Sequence, residues 1–191
     1  MDRSFTMPSA DRRIAAAGVA QVLAATGVLW MKTQGFVWNA EGRDGAVLGL
    51  LLGAQAEDLR RALAPLSLRI RALGFHAPAA LADLIALSPV AEEAGVPVPR
   101  EMARRLGADH SAVAALIRCI RPALEDIGDT ASCAVLDQRL GQHESAAASF
   151  SAFQRECPPH GVIAACVRTS LIIPDPPEFG VGENDGGAAP R

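Results

Sequence analysis

Between Ala46 and Leu73 the apolar residues recur every three or four positions, with only Gln55 interrupting the series, and this period constrains the fold more than any other feature. The repeating positions are Leu48, Leu52, Leu59, Leu63, Leu66, Ile70 and Leu73. One face of an α-helix has this period, whereas a half-buried strand alternates every second residue. The pattern predicts a long amphipathic helix over residues 46–73 that ends at Gly74, because glycine commonly follows a helix C-terminus.

Three further segments predict long helices, over residues 11–36, 100–127 and 130–154. Asp11 is the expected N-cap of the first, and Asp129 or Thr130 that of the last. The third has its apolar seam at Met102, Leu106, Val113, Leu116, Ile117, Ile120, Leu124 and Ile127. The fourth has its inward positions at Leu136, Leu140, Ala147 and Phe150. The abundance of alanine and leucine supports a helical chain, since both lose little on entering a helix.

A long connection, residues 75–98, separates the second and third long helices. Its middle, residues 78–87, predicts a short helix with proline at its start. A long central connection lets the helices on either side of it run parallel, which is the topology of a ferritin-like four-helix bundle. We therefore predict an all-α bundle domain over residues 11–156, a flexible arm over 1–10 and a Pro/Gly-rich tail over 157–191.

The first helix raises the alternative of a membrane anchor, because residues 14–31 are almost wholly apolar and follow Arg12 and Arg13. Alanine and glycine are only weakly lipophilic, and Gln21 and Thr26 interrupt the run. We therefore predict a buried bundle helix in a cytoplasmic protein without a membrane role. The formal net charge of −3 and the pI of about 5.8 give no support to a nucleic-acid binder.

The four cysteines include no CxxC pair, so a zinc or redox motif is not indicated. Cys119 and Cys133 lie within predicted helices, and we expect them to be small buried apolar residues. Cys157 and Cys166 flank the Pro158–His160 segment of the tail. A tail disulfide or a weak metal site is the alternative to free thiols there.

Four pieces of the chain, in order, resemble the Dps (mini-ferritin) family. They are residues 29–42 (LWMKTQGFVWNAEG), 55–74 (QAEDLRRALAPLSLRIRALG), 101–116 (EMARRLGADHSAVAAL) and 128–153 (GDTASCAVLDQRLGQHESAAASFSAF). The resemblance implies a hollow shell of twelve subunits with a role in iron homeostasis and stress response. It also implies that the short crossover helix lies at a two-fold contact, and that iron is oxidised at sites shared between two subunits.

The family's five ferroxidase ligands are histidines and carboxylates, which suit Fe²⁺. Counted without gaps, the corresponding positions here are Val37, Gly49, Gly53, Ala64 and Leu68. None has a side chain that binds a metal. The flanking Trp38, Arg69 and Gly74 match the family and fix this frame. The resemblance therefore implies a degenerate site, and we predict no catalytic, cofactor-binding or metal-binding residue and no enzymatic activity.

Other chemistry-bearing residues have simpler interpretations. Glu57 and Asp58 are expected on a solvated face beside arginines. His110 and His143 lie near seam positions, where a packing role is expected. Asp129 occupies one carboxylate position of the family's three-fold pore, while the next such position is Ala134.

The sequence therefore predicts a Dps-like shell without ferroxidase ligands, acting as a protective structure or as an auxiliary subunit of an active paralogue. One alternative is an active ferroxidase with relocated ligands from Asp129, His110, His143 or the tail; another is a membrane-anchored helical protein. Binding to DNA through the arms is predicted to be weak or absent. The first 13 residues carry three arginines against two aspartates, and the tail carries two arginines against four acids.

Overall fold

The computed structural model describes residues 7–156, and within that range all regular structure is helical. The elements are α1 (Ser9–Asn39), α2 (Gly42–Ala72), α3 (Leu81–Leu87), α4 (Pro99–Asp126) and α5 (Thr130–Glu156). The predicted bundle of four long helices with a short helix in the central crossover is confirmed. The arm before Met7 and the tail, including Cys157 and Cys166, lie outside the described residues.

The predicted helix starts were less accurate than the predicted helices. Helix α1 begins two residues before Asp11, which lies in its first turn, so the N-cap prediction is wrong. Pro8 is the N-cap residue instead, which proline can be because that position needs no N–H donor. Its carbonyl oxygen accepts a hydrogen bond from the backbone N–H of Arg12 at 3.0 Å. Helix α2 begins at Gly42, four residues early, and α3 begins at Leu81, three residues late.

Two helical hairpins, α1–α2 and α4–α5, make up the bundle. Their contacts establish the direction of each helix: Lys32 pairs with Asp109, while Gly18 lies against Ile120 further along α4, so α1 and α4 are antiparallel. Because each hairpin is itself antiparallel, α2 and α4 run parallel, as the long crossover allows. At Gly18 the two helices approach so closely that a Cβ atom would lie 2.6 Å from Ile120 Cγ2.

The predicted seam of α2 forms the centre of the core. All of its seven positions are buried except Leu63, which is half-buried. The other large and fully buried side chains are Leu29, Met102, Leu106, Ile117, Leu124, Leu136 and Phe150. Gly74 follows with a φ of +92°, so the predicted glycine stop is confirmed. Cys133 is buried as expected, but Cys119 is exposed, because Ile117 and Ile120 take the inward positions beside it.

Helix α1 is long and apolar enough to cross a membrane by length and composition. Two thirds of its most apolar stretch is buried within the protein. Burial in the bundle core therefore accounts for its apolar character without a membrane.

The start of α5 is fixed by Asp129, whose predicted N-cap role is confirmed. Its carboxylate accepts hydrogen bonds from the Ser132 backbone N–H at 3.0 Å and from Arg69 Nη2 at 2.6 Å. Burial opposes ionisation, but the hydrogen bonds from the Ser132 hydroxyl, from the Ser132 backbone N–H and from Arg69 hold the pKa of Asp129 below its usual value. Because this carboxylate is buried and already bonded, it is poorly placed to line a pore.

Replacing this carboxylate should destabilise the bundle strongly. In Asp129→Ala, α5 loses its N-cap and the part-buried Arg69 loses its partner. We expect the free energy of unfolding to fall by about 3 kcal/mol in urea titrations. Thr130→Ala, at an exposed neighbouring position, is the matched control and should change stability little. If Asp129→Ala lowered the free energy of unfolding no more than Thr130→Ala does, the N-cap and the Arg69–Asp129 pair would contribute nothing to stability.

Candidate functional site

The structure brings four of the five expected ligand positions to one face of α2. Gly53, Ala64 and Leu68 are exposed and Gly49 is half-buried, and all four point away from the core formed by the α2 seam. Spacings of four and eleven residues repeat the same face of an α-helix, which explains the grouping. Val37, at the end of α1, is also half-buried and packs against the edge of the core.

We call the solvent-facing side of α2 the outer face. Its exposed or half-exposed residues are Ala46, Val47, Gly49, Leu50, Gly53, Ala54, Glu57, Arg60, Arg61, Ala64, Pro65 and Leu68. Leu50 is 83% exposed and Leu68 67% exposed. Its exposed large apolar side chains lie on either side of the Glu57–Arg61 centre, and two further exposed arginines, Arg43 and Arg71, lie on the same side near the two ends of α2. A stripe of large exposed apolar side chains on a folded chain is typical of an interaction surface.

The charged centre of the outer face is held together by ion pairs: one carboxylate, Glu57, binds two guanidinium groups, which leaves a formal charge of +1. Glu57 accepts hydrogen bonds from Arg60 Nε at 2.8 Å and from Arg61 Nε at 2.6 Å. The hydrogen bond from Arg60, followed by that from Arg61, lowers the pKa of Glu57 to about 2. The expectation of a solvated charged face is therefore confirmed for Glu57. It is wrong for Asp58, which crosses to α5 and accepts a hydrogen bond from Arg139 Nη1 at 2.9 Å.

The arrangement offers little to a metal ion. Within residues 7–156, no three His, Cys, Asp or Glu side chains are grouped so that they could hold one. On the outer face, the Glu57 carboxylate is already bound by two guanidinium groups. Beside Leu50 and Leu68 the face offers a dication no histidine or carboxylate ligand.

The two helix histidines lie in the core instead. His110 on α4 and His143 on α5 are 1% and 0% exposed, and their Nδ1 atoms are 2.9 Å apart. The expected packing role is confirmed, with burial more complete than expected. Asp129 lies fourteen residues before His143 on α5, roughly 21 Å along the helix axis at 1.5 Å per residue. The three side chains proposed as relocated ligands therefore do not share a site.

A cavity of about 370 Å³ lies between α1, α3 and the loop at residues 92–96. Its walls are mainly apolar, and the charged residues that line it are Lys32, Glu92 and Glu93. Lys32 is paired with Asp109, and Glu93 with Arg105. The glycine at position 27 makes room for α3, since a Cβ there would lie 3.3 Å from Leu84 Cδ1. None of the α3 residues is buried in this chain.

Comparison with known proteins agrees with this geometry. Residues 17–158 match the family described as the ferritin-like domain, which covers most of the described chain. The chain belongs to the ferritin-like family. No curated protein is similar enough in sequence to be a significant match.

Among solved structures, this ferritin-like chain is similar in fold to Dps proteins. It shares 23% identity and a TM-score of 0.76 with an archaeal Dps homologue from Halobacterium salinarum, covering 82% of this chain and 88% of that one. With DpsC from Streptomyces coelicolor it shares 20% identity and a TM-score of 0.76, covering 80% of this chain and 90% of that one. With the Vibrio cholerae Dps protein, a member of the ferritin-like diiron-carboxylate superfamily, it shares 19% identity and a TM-score of 0.73, covering 77% of this chain and 92% of that one. The chain therefore has the fold of Dps proteins.

Sequence reasoning did not anticipate the polar contacts that position this ferritin-like site. Arg139 lies at a buried position one turn before His143, and its bond to Asp58 fixes α5 against α2. The sequence signal for such an ion pair is a charged residue, here Arg139, at a position that the helical period places in the core. A charge there needs a partner of opposite sign on another helix.

The two glycines of the outer face should be replaceable. A Cβ atom added at either Gly49 or Gly53 meets nothing within 4 Å in this chain, so close approach of a neighbouring helix does not explain them. We expect Gly49→Ala and Gly53→Ala each to raise the free energy of unfolding by about 1 kcal/mol. Gly45→Ala is the contrasting control, because its Cβ would lie 2.8 Å from the Ala40 carbonyl carbon and should destabilise. Destabilisation by Gly49→Ala or Gly53→Ala would contradict the open space that the structure shows at these positions.

Proposed function

We propose that this ferritin-like protein forms a Dps-type protective shell whose inter-subunit iron sites lack their ligands. The single observation that supports it most is the outer face of α2. It carries four of the five positions of the family's site, with apolar or absent side chains, and most of it is exposed in the single chain. A surface of this kind is suited to pack against another subunit and unsuited to hold iron.

The outer face is also self-complementary in pattern. Leu50 and Leu68 each lie nine residues from Leu59, and the charged centre lies between them. Two copies related by a two-fold axis near this point would place Leu50 against the partner subunit's Leu68. The same axis would bring Glu57 towards the partner subunit's Arg61. An isologous contact needs this symmetry, in which one patch fits itself.

The remaining parts of the proposal follow from the family and the charge distribution. The shell is cytoplasmic and serves iron homeostasis or stress protection, alone or mixed with an iron-oxidising paralogue. Its contact with DNA is weak, because the N-terminal arm and the tail carry too few cations to displace phosphate counterions. A ferroxidase with ligands recruited from outside residues 7–156 is the second candidate, and iron oxidation distinguishes the two.

The shell should be observed as a particle of about 240 kDa, twelve times the 19.9 kDa subunit. Light scattering on the purified full chain measures this mass. Leu50→Glu with Leu68→Glu should yield smaller species, because carboxylates would then oppose each other across the contact. Both side chains are exposed, so circular dichroism should show unchanged helix content. A clean monomer for the unmodified chain would contradict the shell.

Added Fe²⁺ should be oxidised no faster than in protein-free buffer, with air or with peroxide. Ferroxidase chemistry needs carboxylates and imidazoles to hold Fe²⁺, and the five positions supply neither. Near-ultraviolet absorbance growth from ferric species measures the rate. A variant with all five substitutions, Val37→His, Gly49→His, Gly53→Asp, Ala64→Asp and Leu68→Glu, should gain iron-oxidising activity. Fast oxidation by the unmodified protein would contradict the proposed loss.

A further inference from the structure

Two neutral imidazoles share a hydrogen bond in the centre of the α4–α5 hairpin. A contact of 2.9 Å between the Nδ1 atoms of His110 and His143 requires one proton between them, donated by one ring and accepted by the other. The Nε2 atoms of both rings are buried and have no hydrogen-bond partner within the described residues. His110 also packs against the ring of Phe150, with the ring centroids 5.7 Å apart.

Within residues 7–156, no carboxylate is positioned to receive an additional positive charge on this pair. Arg139, one turn before His143 on α5, is 6% exposed, and its Nε and Nη2 atoms are buried without partners in this part of the chain. From α2, the Asp58 carboxylate is bound to Arg139.

The acids next to the two rings in sequence are also paired. Asp109, which precedes His110 on α4, is bound to Lys32 of α1, and Glu144, which follows His143 on α5, is bound to Arg118 of α4. These acids are therefore committed to other cations, and the charge of Arg139 opposes an imidazolium.

We propose that the His110–His143 pair is an acid-sensitive latch: neutral rings hold the α4–α5 hairpin closed, and a falling pH progressively favours its opening. One additional proton on the neutral pair would create a buried imidazolium next to Arg139. Each Nε2 would then be an N–H donor without an acceptor. The hairpin provides half of the bundle, so its opening unfolds the domain. The latch belongs to the single subunit and does not depend on the proposed shell.

The sign of the pH dependence follows from proton binding. Burial, together with the charge of Arg139, lowers the pKa of His110 to about 3. Burial, and after it electrostatic repulsion from His110 and Arg139, lowers the pKa of His143 to about 2. The unfolded chain takes up these two protons near the ordinary pKa of 6.5, and the folded chain does not. Stability is therefore complete above pH 6.5 and is lost as the pH falls towards 3.

The test is urea unfolding of the full chain at fixed protein concentration between pH 6.5 and pH 5. Each imidazole should raise the unfolding equilibrium constant by about 16-fold over this interval, and the pair by roughly 250-fold. The double variant His110→Leu with His143→Leu should lose this dependence. The carboxylates are common to both proteins, so the difference isolates the two rings. His76→Gln, at an exposed position, should keep the dependence of the unmodified chain.

A pH-independent unfolding constant, or a double variant as acid-sensitive as the unmodified chain, would overturn the latch. If the double variant does not fold, histidine ring NMR of the unmodified protein provides the second measurement. Both rings are expected to stay neutral in the folded state at pH 5. Titration of either ring near pH 6.5 while the protein remains folded would equally overturn the proposal.

Discussion

Three ion pairs cross the boundary between the two helical hairpins, and the rest of the structure depends on their register. Lys32 of α1 pairs with Asp109 of α4. From α2, Asp58 pairs with Arg139 of α5, and Arg69 pairs with Asp129, the N-cap of α5. Short loops hold each hairpin together, but the crossover between them is long and permits other arrangements. A charge in a low-dielectric core is tolerated only opposite its partner, so these pairs select one alignment of the hairpins.

The same alignment determines what α2 presents to its surroundings. Because its leucine seam, Asp58 and Arg69 are directed towards the core and α5, the positions Gly53, Ala64 and Leu68 face outward. On this side, exposed apolar side chains lie on either side of the ion-paired Glu57, Arg60 and Arg61. The fold is that of Dps proteins, and we propose that this face does not have the chemistry of an iron site.

The periodic parts of the fold could be predicted from the sequence, because the leucine seam of α2 records which side is buried. Helix starts were less predictable, since Pro8 and Gly42 begin helices through backbone geometry and not through a capping side chain. Asp58 looked like part of a solvated face because the local pattern contains no trace of Arg139, 81 residues away. The His110–His143 contact escaped prediction for the same reason: each ring is interpretable only beside the other helix.

We propose that the outer face of α2 does not hold iron, and anaerobic calorimetric titration of the full chain with Fe²⁺ tests this directly. Without oxidant, this measurement separates binding from oxidation, so a slow reaction cannot be mistaken for a missing site. We expect no saturable heat at micromolar Fe²⁺, and saturable binding in the variant that carries histidine or a carboxylate at each of the five positions. Stoichiometric binding by the unmodified chain, abolished by substitutions on the outer face, would contradict it.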